Sequence, residues 1–230
     1  MASPTLLAVS HGTDNAAGAR AIADLVNHVA EDLADVEVRS AFVDVQQPDA
    51  VDARAAIDGP VVIVPLLLSS GFHVHHDLHG IAREQAETVV ADPLGPDARL
   101  AEVLAERLAQ VADATQDDSP VILAVAGSRD PRSLTDAEAM ADLLRARLGR
   151  PVELAFLAAR KPDLPEVLAR HPHAAVSTYL LAEGYFFDLA RKLSGSRVIS
   201  APLLDGGAVP APLVELVRAR YLDAVRDPAQ

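Results

Sequence analysis

LLAVSHG (residues 6–12) and ILAVAGS (122–128) are two versions of one strand-to-loop segment. Aligned on Gly12 and Gly127, the first copy has His11 where the second has Ala126. The match extends outward on both sides. AFVDVQQPDA (41–50) answers AFLAARKPDL (155–164) and sets Asp44 against Ala158. PLLLSSGFHVHHDL (65–78) answers YLLAEGYFFDL (179–189) and sets His73 against Phe186. The offsets are 115, 114 and 113 residues, a register that drifts only by small deletions, so the chain is an internal duplication. The copies keep their apolar strands and differ in imidazole and carboxylate. A reactive site is therefore expected in the first half.

Short β-branched or Leu-rich runs alternate with segments of helical periodicity throughout. Strands are expected at TLLAV (5–9), VEVRSAFV (36–43), VVIVPLLL (61–68) and TVVA (88–91), with helices near 15–33, 49–56, 76–87 and 97–113 between and after them. The second half repeats the order, with strands at VILAV (121–125), VELAFL (152–157), AAVSTYLL (174–181) and RVIS (197–200). Its helices are expected at 135–148, 163–170, 185–194 and 210–226. Strands that are apolar almost throughout, separated by helices, imply parallel sheets covered on both faces. The fold class is α/β, as two similar lobes at 1–114 and 119–230 joined by the polar TQDDSP (115–120). Ligands of such sheets bind at the carboxyl ends of the strands. His11 follows the first strand, Asp44 closes the second and His73 follows the third, so all three belong to one sheet edge.

Bulk properties narrow the function. A net charge of −13 argues against nucleic acid or an anionic membrane surface as partner. There is no cysteine, so any metal must be held by His, Asp, Glu or backbone oxygen. The longest apolar run, VVIVPLLL, is far below the roughly 20 residues of a membrane helix, and the N-terminus lacks the basic segment of a signal peptide. A soluble cytoplasmic protein is expected.

Ser10-His11-Gly12-Thr13 leaves a strand and enters a helix, where Gly12 permits a tight turn and the following N–H groups can face an anion. Gly71-Phe72-His73-Val74-His75-His76-Asp77 is the densest imidazole cluster, with His75 and His76 weaker candidates than His73 because the helix carries them away from the strand edge. Asp44 reads as a carboxylate within an apolar strand, which requires a partner or a water-filled cleft mouth.

SHG after the first strand, AFVDVQQP at the second and PLLLSSGFHVHHDL at the third resemble the class II tetrapyrrole chelatases, the sirohydrochlorin cobalto- and ferrochelatases. The family pattern has a histidine in (S/G)HG and another in Gly-x-His-Val after an apolar strand, matching His11 and His73. Its usual glutamate at the second strand is here Asp44, one methylene shorter. AGSRDP (126–131) resembles the family's HGSRDP without the histidine.

The resemblance covers essentially the whole chain and implies a two-lobe member with one site in the cleft between lobes. The activity it implies is insertion of Fe2+ or Co2+ into sirohydrochlorin, with the metal a substrate and no permanently bound cofactor. His11 and His73 are the implied metal ligands, with Asp44 beside them as a catalytic group. Ser10, Gly12, Thr13, Ser69 and Ser70 are candidate contacts to the tetrapyrrole. Arg129, Arg132 and Arg191 are candidates to offset its carboxylates, and Phe186 and Phe187 to form an apolar wall. A monomer is expected, since the second lobe supplies the far side of the cleft.

The chemistry fits those residue types. Metal insertion removes two pyrrole protons while the ion sheds its ligands, and imidazole both binds metals and accepts protons near neutral pH. A carboxylate can relay the protons outward. The main alternative is a metal- or tetrapyrrole-binding carrier without turnover. A hydrolase is disfavoured by the lack of a G-x-S-x-G elbow, and a Rossmann dehydrogenase by the lack of G-x-G-x-x-G after the first strand.

Overall fold

The computed structural model describes residues 3–71, 73–111 and 119–227; the side chains of His73 and His75, and the first four residues of the expected linker, lie outside the described set. The first half runs β1 (Thr5–Ser10), α1 (Ala16–Asp32), β2 (Val38–Phe42), α2 (Ala50–Ala55) and β3 (Val61–Pro65). A π-helical turn, His73–Leu78, then leads into α3 (His79–Glu84), β4 (Thr88–Val90) and α4 (Ala98–Ala109). The second half runs β5 (Val121–Val125), α5 (Pro131–Leu148), β6 (Val152–Phe156), α6 (Leu164–Arg170), β7 (Val176–Tyr179), α7 (Tyr185–Ser194) and α8 (Ala211–Arg226).

All strand pairs are parallel, in the orders β2-β1-β3-β4 and β6-β5-β7. RVIS forms only a single parallel bridge, Val176 to Ile199, where the first half has β4. β1, β3 and β5 are buried from end to end, as strands covered on both faces must be. Helix α5 begins at Pro131, four residues before its expected start, because Asp130 caps the Arg132 N–H and proline occupies the first turn.

The duplication extends to backbone detail. Gly12 and Gly127 have φ of +91° and +89°, and Val45 and Ala159 have φ of +60° and +64°. The Asn15 N–H donates to the Thr13 hydroxyl at 3.1 Å, as the Asp130 N–H does to Ser128 at 3.2 Å. Both second-strand loops contain a cis X-Pro bond, Gln47-Pro48 and Lys161-Pro162.

The last helix of each half crosses to the other. Helix α4 packs on α5 and β7, and α8 packs on α1 and β3. As a result the inward faces of both sheets share one continuous core, joining Leu6, Leu25 and Val64 to Leu123, Met140 and Leu216. Each outward face has its own smaller core, around Leu7 and Ile63 in one half and Ile122 and Val176 in the other.

Polar ties reinforce the exchange. The Tyr221 hydroxyl of α8 donates to the Pro4 carbonyl at 2.6 Å. Arg107 of α4, only 6% exposed, donates to the Leu203 carbonyl and pairs with Asp205 at 2.7 Å. Arg220 of α8 reaches the Pro93 carbonyl at 2.8 Å and Asp97 at 3.4 Å. Burial works to raise the Asp97 pKa, but hydrogen bonds from Arg99 and the charges of Arg99 and Arg220 outweigh it and hold the carboxyl below its usual range. Among the described residues, no helix is long and apolar enough to cross a membrane.

Candidate active site

The carboxyl ends of the two sheets face each other across a cleft of about 910 Å3. That is near the upper end of the roughly 300–1,000 Å3 of small-molecule pockets. One wall comes from the first half: Ser10 at the end of β1 and His11 through Asn15 beyond it, Val45 beyond β2, and Leu66 to Ser69 with Gly71 and Val74 beyond β3. The other comes from the loops after β5 and β7, with Tyr185, Phe186 and Phe187 at the start of α7.

His11 is exposed to this cleft at the exit of β1. The turn that presents it depends on Gly12, where a β-carbon would collide with the Asp44 carbonyl. The loops are tied to each other: the Asp44 N–H donates to the His11 carbonyl at 3.1 Å, and the Thr13 N–H to the Gln46 side-chain oxygen at 2.9 Å. That last bond occupies one of the N–H groups expected to face an anion. Among the other expected contacts, Ser10 is 2% exposed, Ser69 lines the cleft, and the Ser70 N–H donates to Asp136 of the opposite half at 2.6 Å.

Asp44 differs from its expected setting. Strand β2 ends at Phe42, and the left-handed Val45 turns the chain, so Asp44 lies in an exposed loop rather than within a strand. Its carboxylate accepts the Val45 N–H at 2.8 Å, and among the described lining residues this loop is represented by Val45. The backbone of His73 opens the π-helical turn directly beyond the cleft loop. His76 is exposed and lies 3.0 Å from Asp77 on that turn.

The arginines expected to offset substrate charge are placed elsewhere. Arg132 makes a two-pronged contact with Asp130, at 3.0 and 2.7 Å, and Arg191 lies 5.8 Å from the Phe187 ring centroid. Arg129 is exposed. Among the described residues lining the cleft there is no Arg or Lys, while Asp14, Glu183 and Asp188 are present.

The opposite wall is aromatic, as expected for Phe186 and Phe187, and includes two residues the sequence did not single out. Tyr185 is 75% exposed and meets Phe186 edge-on with ring centroids 5.4 Å apart. Tyr179, at the end of β7, is buried, and its hydroxyl donates to the Leu68 carbonyl across the cleft floor at 2.9 Å. Burial pushes its phenol well above the usual range, so it acts as a neutral donor. With Phe156, five of the chain's eight Phe and Tyr residues line this cleft, all from the second half. That concentration was available in the sequence only to a reader who already knew the strand ends. Among the described residues no group of three or more His, Asp and Glu side chains could hold a metal ion.

Comparison with known proteins matches this architecture. The model of the CbiX family fits residues 5–111 and 120–204, once in each half. A sirohydrochlorin ferrochelatase of Priestia megaterium is 32% identical over 136 residues, covering 54% of this chain and 51% of that protein, so the chain spans about half the length of this relative. A sirohydrochlorin cobaltochelatase of Methanosarcina acetivorans is 25% identical over 120 residues, covering 45% of this chain and 92% of that protein. The fold is that of SirB from Bacillus subtilis, solved with Fe3+, at a TM-score of 0.79 and 19% identity over 99% of this chain and 97% of that one. With the family model fitting both halves, the chain belongs to the CbiX family.

Proposed function

We propose that this chain is a sirohydrochlorin chelatase, a lyase-class enzyme that inserts Fe2+ or Co2+ into the macrocycle with release of two protons. The observation that carries the reading is the cleft: an exposed imidazole, His11, on one wall and a broad aromatic surface on the other, in a member of the CbiX family. A planar macrocycle fits that division. Its face stacks on the aromatic wall while the metal approaches from the histidine side.

In this reaction the metal is a substrate. His11 and His73 hold it briefly, leaving coordination positions open for the incoming pyrrole nitrogens, which a closed four-ligand cage would not do. As each metal–nitrogen bond to the macrocycle forms, a metal–imidazole bond breaks, and the freed imidazole nitrogen accepts the displaced pyrrole proton. Asp44, exposed and next in the chain to the cleft-lining Val45, passes these protons to solvent. Ser10, Gly12, Thr13 and Ser69 shape the floor around the ring. The ring carboxylates stay in solvent at the cleft mouth, since the lining itself is acidic. The first lobe, 1–114, supplies the metal chemistry and the second, 119–230, the wall, in a cytoplasmic monomer.

Incubating the protein with sirohydrochlorin and Fe2+ or Co2+ and following the absorption change tests this directly. Insertion faster than with metal alone is expected. Binding of ring or metal without acceleration would instead identify a carrier.

A further inference from the structure

The loop from β3 to the π-helical turn is held at successive residues. The Leu66 N–H donates to the Val9 carbonyl at 2.7 Å, and the Leu67 carbonyl accepts from the Leu94 N–H at 2.8 Å. Both ties come from the loop's own half. The next two come from the other half: the Leu68 carbonyl accepts the Tyr179 hydroxyl at 2.9 Å, and the Ser70 N–H donates to the Asp136 carboxylate at 2.6 Å. A β-carbon at Gly95 would collide with both the Tyr179 hydroxyl and the Leu68 carbonyl, so the first half also leaves room for the tyrosine.

These ties are one-sided. In the structural register of the repeat, the position matching Tyr179 is Leu66 and the position matching Asp136 is Ala21. Neither side chain can make a hydrogen bond. At these two positions the second half has polar side chains that grip the loop of the first half, and the matching residues of the first half are apolar. This is the reverse of the pattern at His11, Asp44 and His73, where the second half lacks the polar group.

We propose that Asp136 and Tyr179 are positioning residues, which fix the 66–71 loop and so the geometry of the first half's site. The second lobe is then a clamp as well as a wall. A charge-assisted bond to a backbone N–H and a buried phenol–carbonyl bond are both suited to that task, because each loses its partner's satisfaction if the loop moves.

The activity arm of the test rests on the chelatase reading, while the exchange arm does not. Asp136→Ala, Asp136→Asn and Tyr179→Phe are compared with the parent by hydrogen–deuterium exchange over residues 66–71 and by insertion kinetics, with circular dichroism confirming the fold. Asp136→Ala and Tyr179→Phe are expected to speed exchange in that segment by about tenfold. They are also expected to lower kcat by about tenfold with KM for the tetrapyrrole changed less than about threefold. Asp136→Asn, whose amide oxygen still accepts the Ser70 N–H, should restore most of both. Unchanged exchange in the folded Asp136→Ala protein, faster exchange with unchanged kcat, or an Asp136→Asn protein as impaired as Asp136→Ala would each overturn the proposal. A parent protein without insertion activity would overturn the chelatase reading, and exchange would still decide whether the loop is clamped.

Discussion

Gly12→Ala should damage the fold in proportion to two separable effects. At φ of +91° an alanine is in the left-handed region, which costs about 1–2 kcal/mol. Its β-carbon would also collide with the Asp44 carbonyl. For that oxygen to retreat, the Gln46 N–H bond to it at 2.6 Å and the Asp44 N–H bond to the His11 carbonyl at 3.1 Å must both loosen, at about 1 kcal/mol each.

Gly59→Ala supplies the control. Its φ is +84° and a β-carbon there meets nothing within 4 Å, so only the conformational cost applies. The difference is about 2 kcal/mol, or about 4–8 °C in Tm for a chain of this size. Thermal unfolding followed by circular dichroism reads it. Gly127→Ala, which faces the Ala158 carbonyl in the same way, should match Gly12→Ala in Tm yet spare more insertion activity. If Gly12→Ala and Gly59→Ala unfold within about 2 °C of each other, the close packing of the two loops does not hold His11 in place.

Asp97→Asn keeps an N-cap but loses the charge paired with Arg99 and Arg220, and should cost about 1 kcal/mol at neutral pH. Because the folded carboxyl is held below the usual 3.8, its contribution is complete above that pH and is lost as pH falls through the folded value, so the Tm gap between parent and variant should close in acid. Phe186→Ser should raise KM for the tetrapyrrole by about three- to tenfold with little change in kcat, measured by initial rates; unchanged kinetics would remove the aromatic wall from the account. With an acidic lining and a net charge of −13, raising ionic strength should lower KM for an anionic tetrapyrrole. A KM that rises with salt would point to a cationic contact instead.

Much of the architecture was legible because it rests on local pattern. Apolar runs bounded by turns marked β1, β3 and β5, and the paired glycines at 12 and 127 marked equivalent loops. The exchange of α4 and α8 was not legible. Helical periodicity says which face is apolar but not which sheet it meets, and Leu213, Leu216 and Tyr221 would suit either half equally well. AFVDV looks like uninterrupted strand, yet the chain leaves β2 at Phe42 and turns at a left-handed Val45, which no glycine announces. The ties made by Asp136 and Tyr179 join residues 66 and 111 positions apart, a distance across which no motif or period speaks. The arginines read as substrate contacts were attractive as charges alone. Their neighbours, Asp130 for Arg132 and Phe187 for Arg191, are close in sequence and engage them.

In the proposed reaction one half of a duplicated chain performs the metal chemistry, at His11 with His73. The most direct test is the initial rate of metal insertion into sirohydrochlorin by His11→Ala and His73→Ala, each shown by circular dichroism to be folded. A fall of about a hundredfold or more is expected for each. A folded His11→Ala protein that keeps most of the parent rate would contradict it.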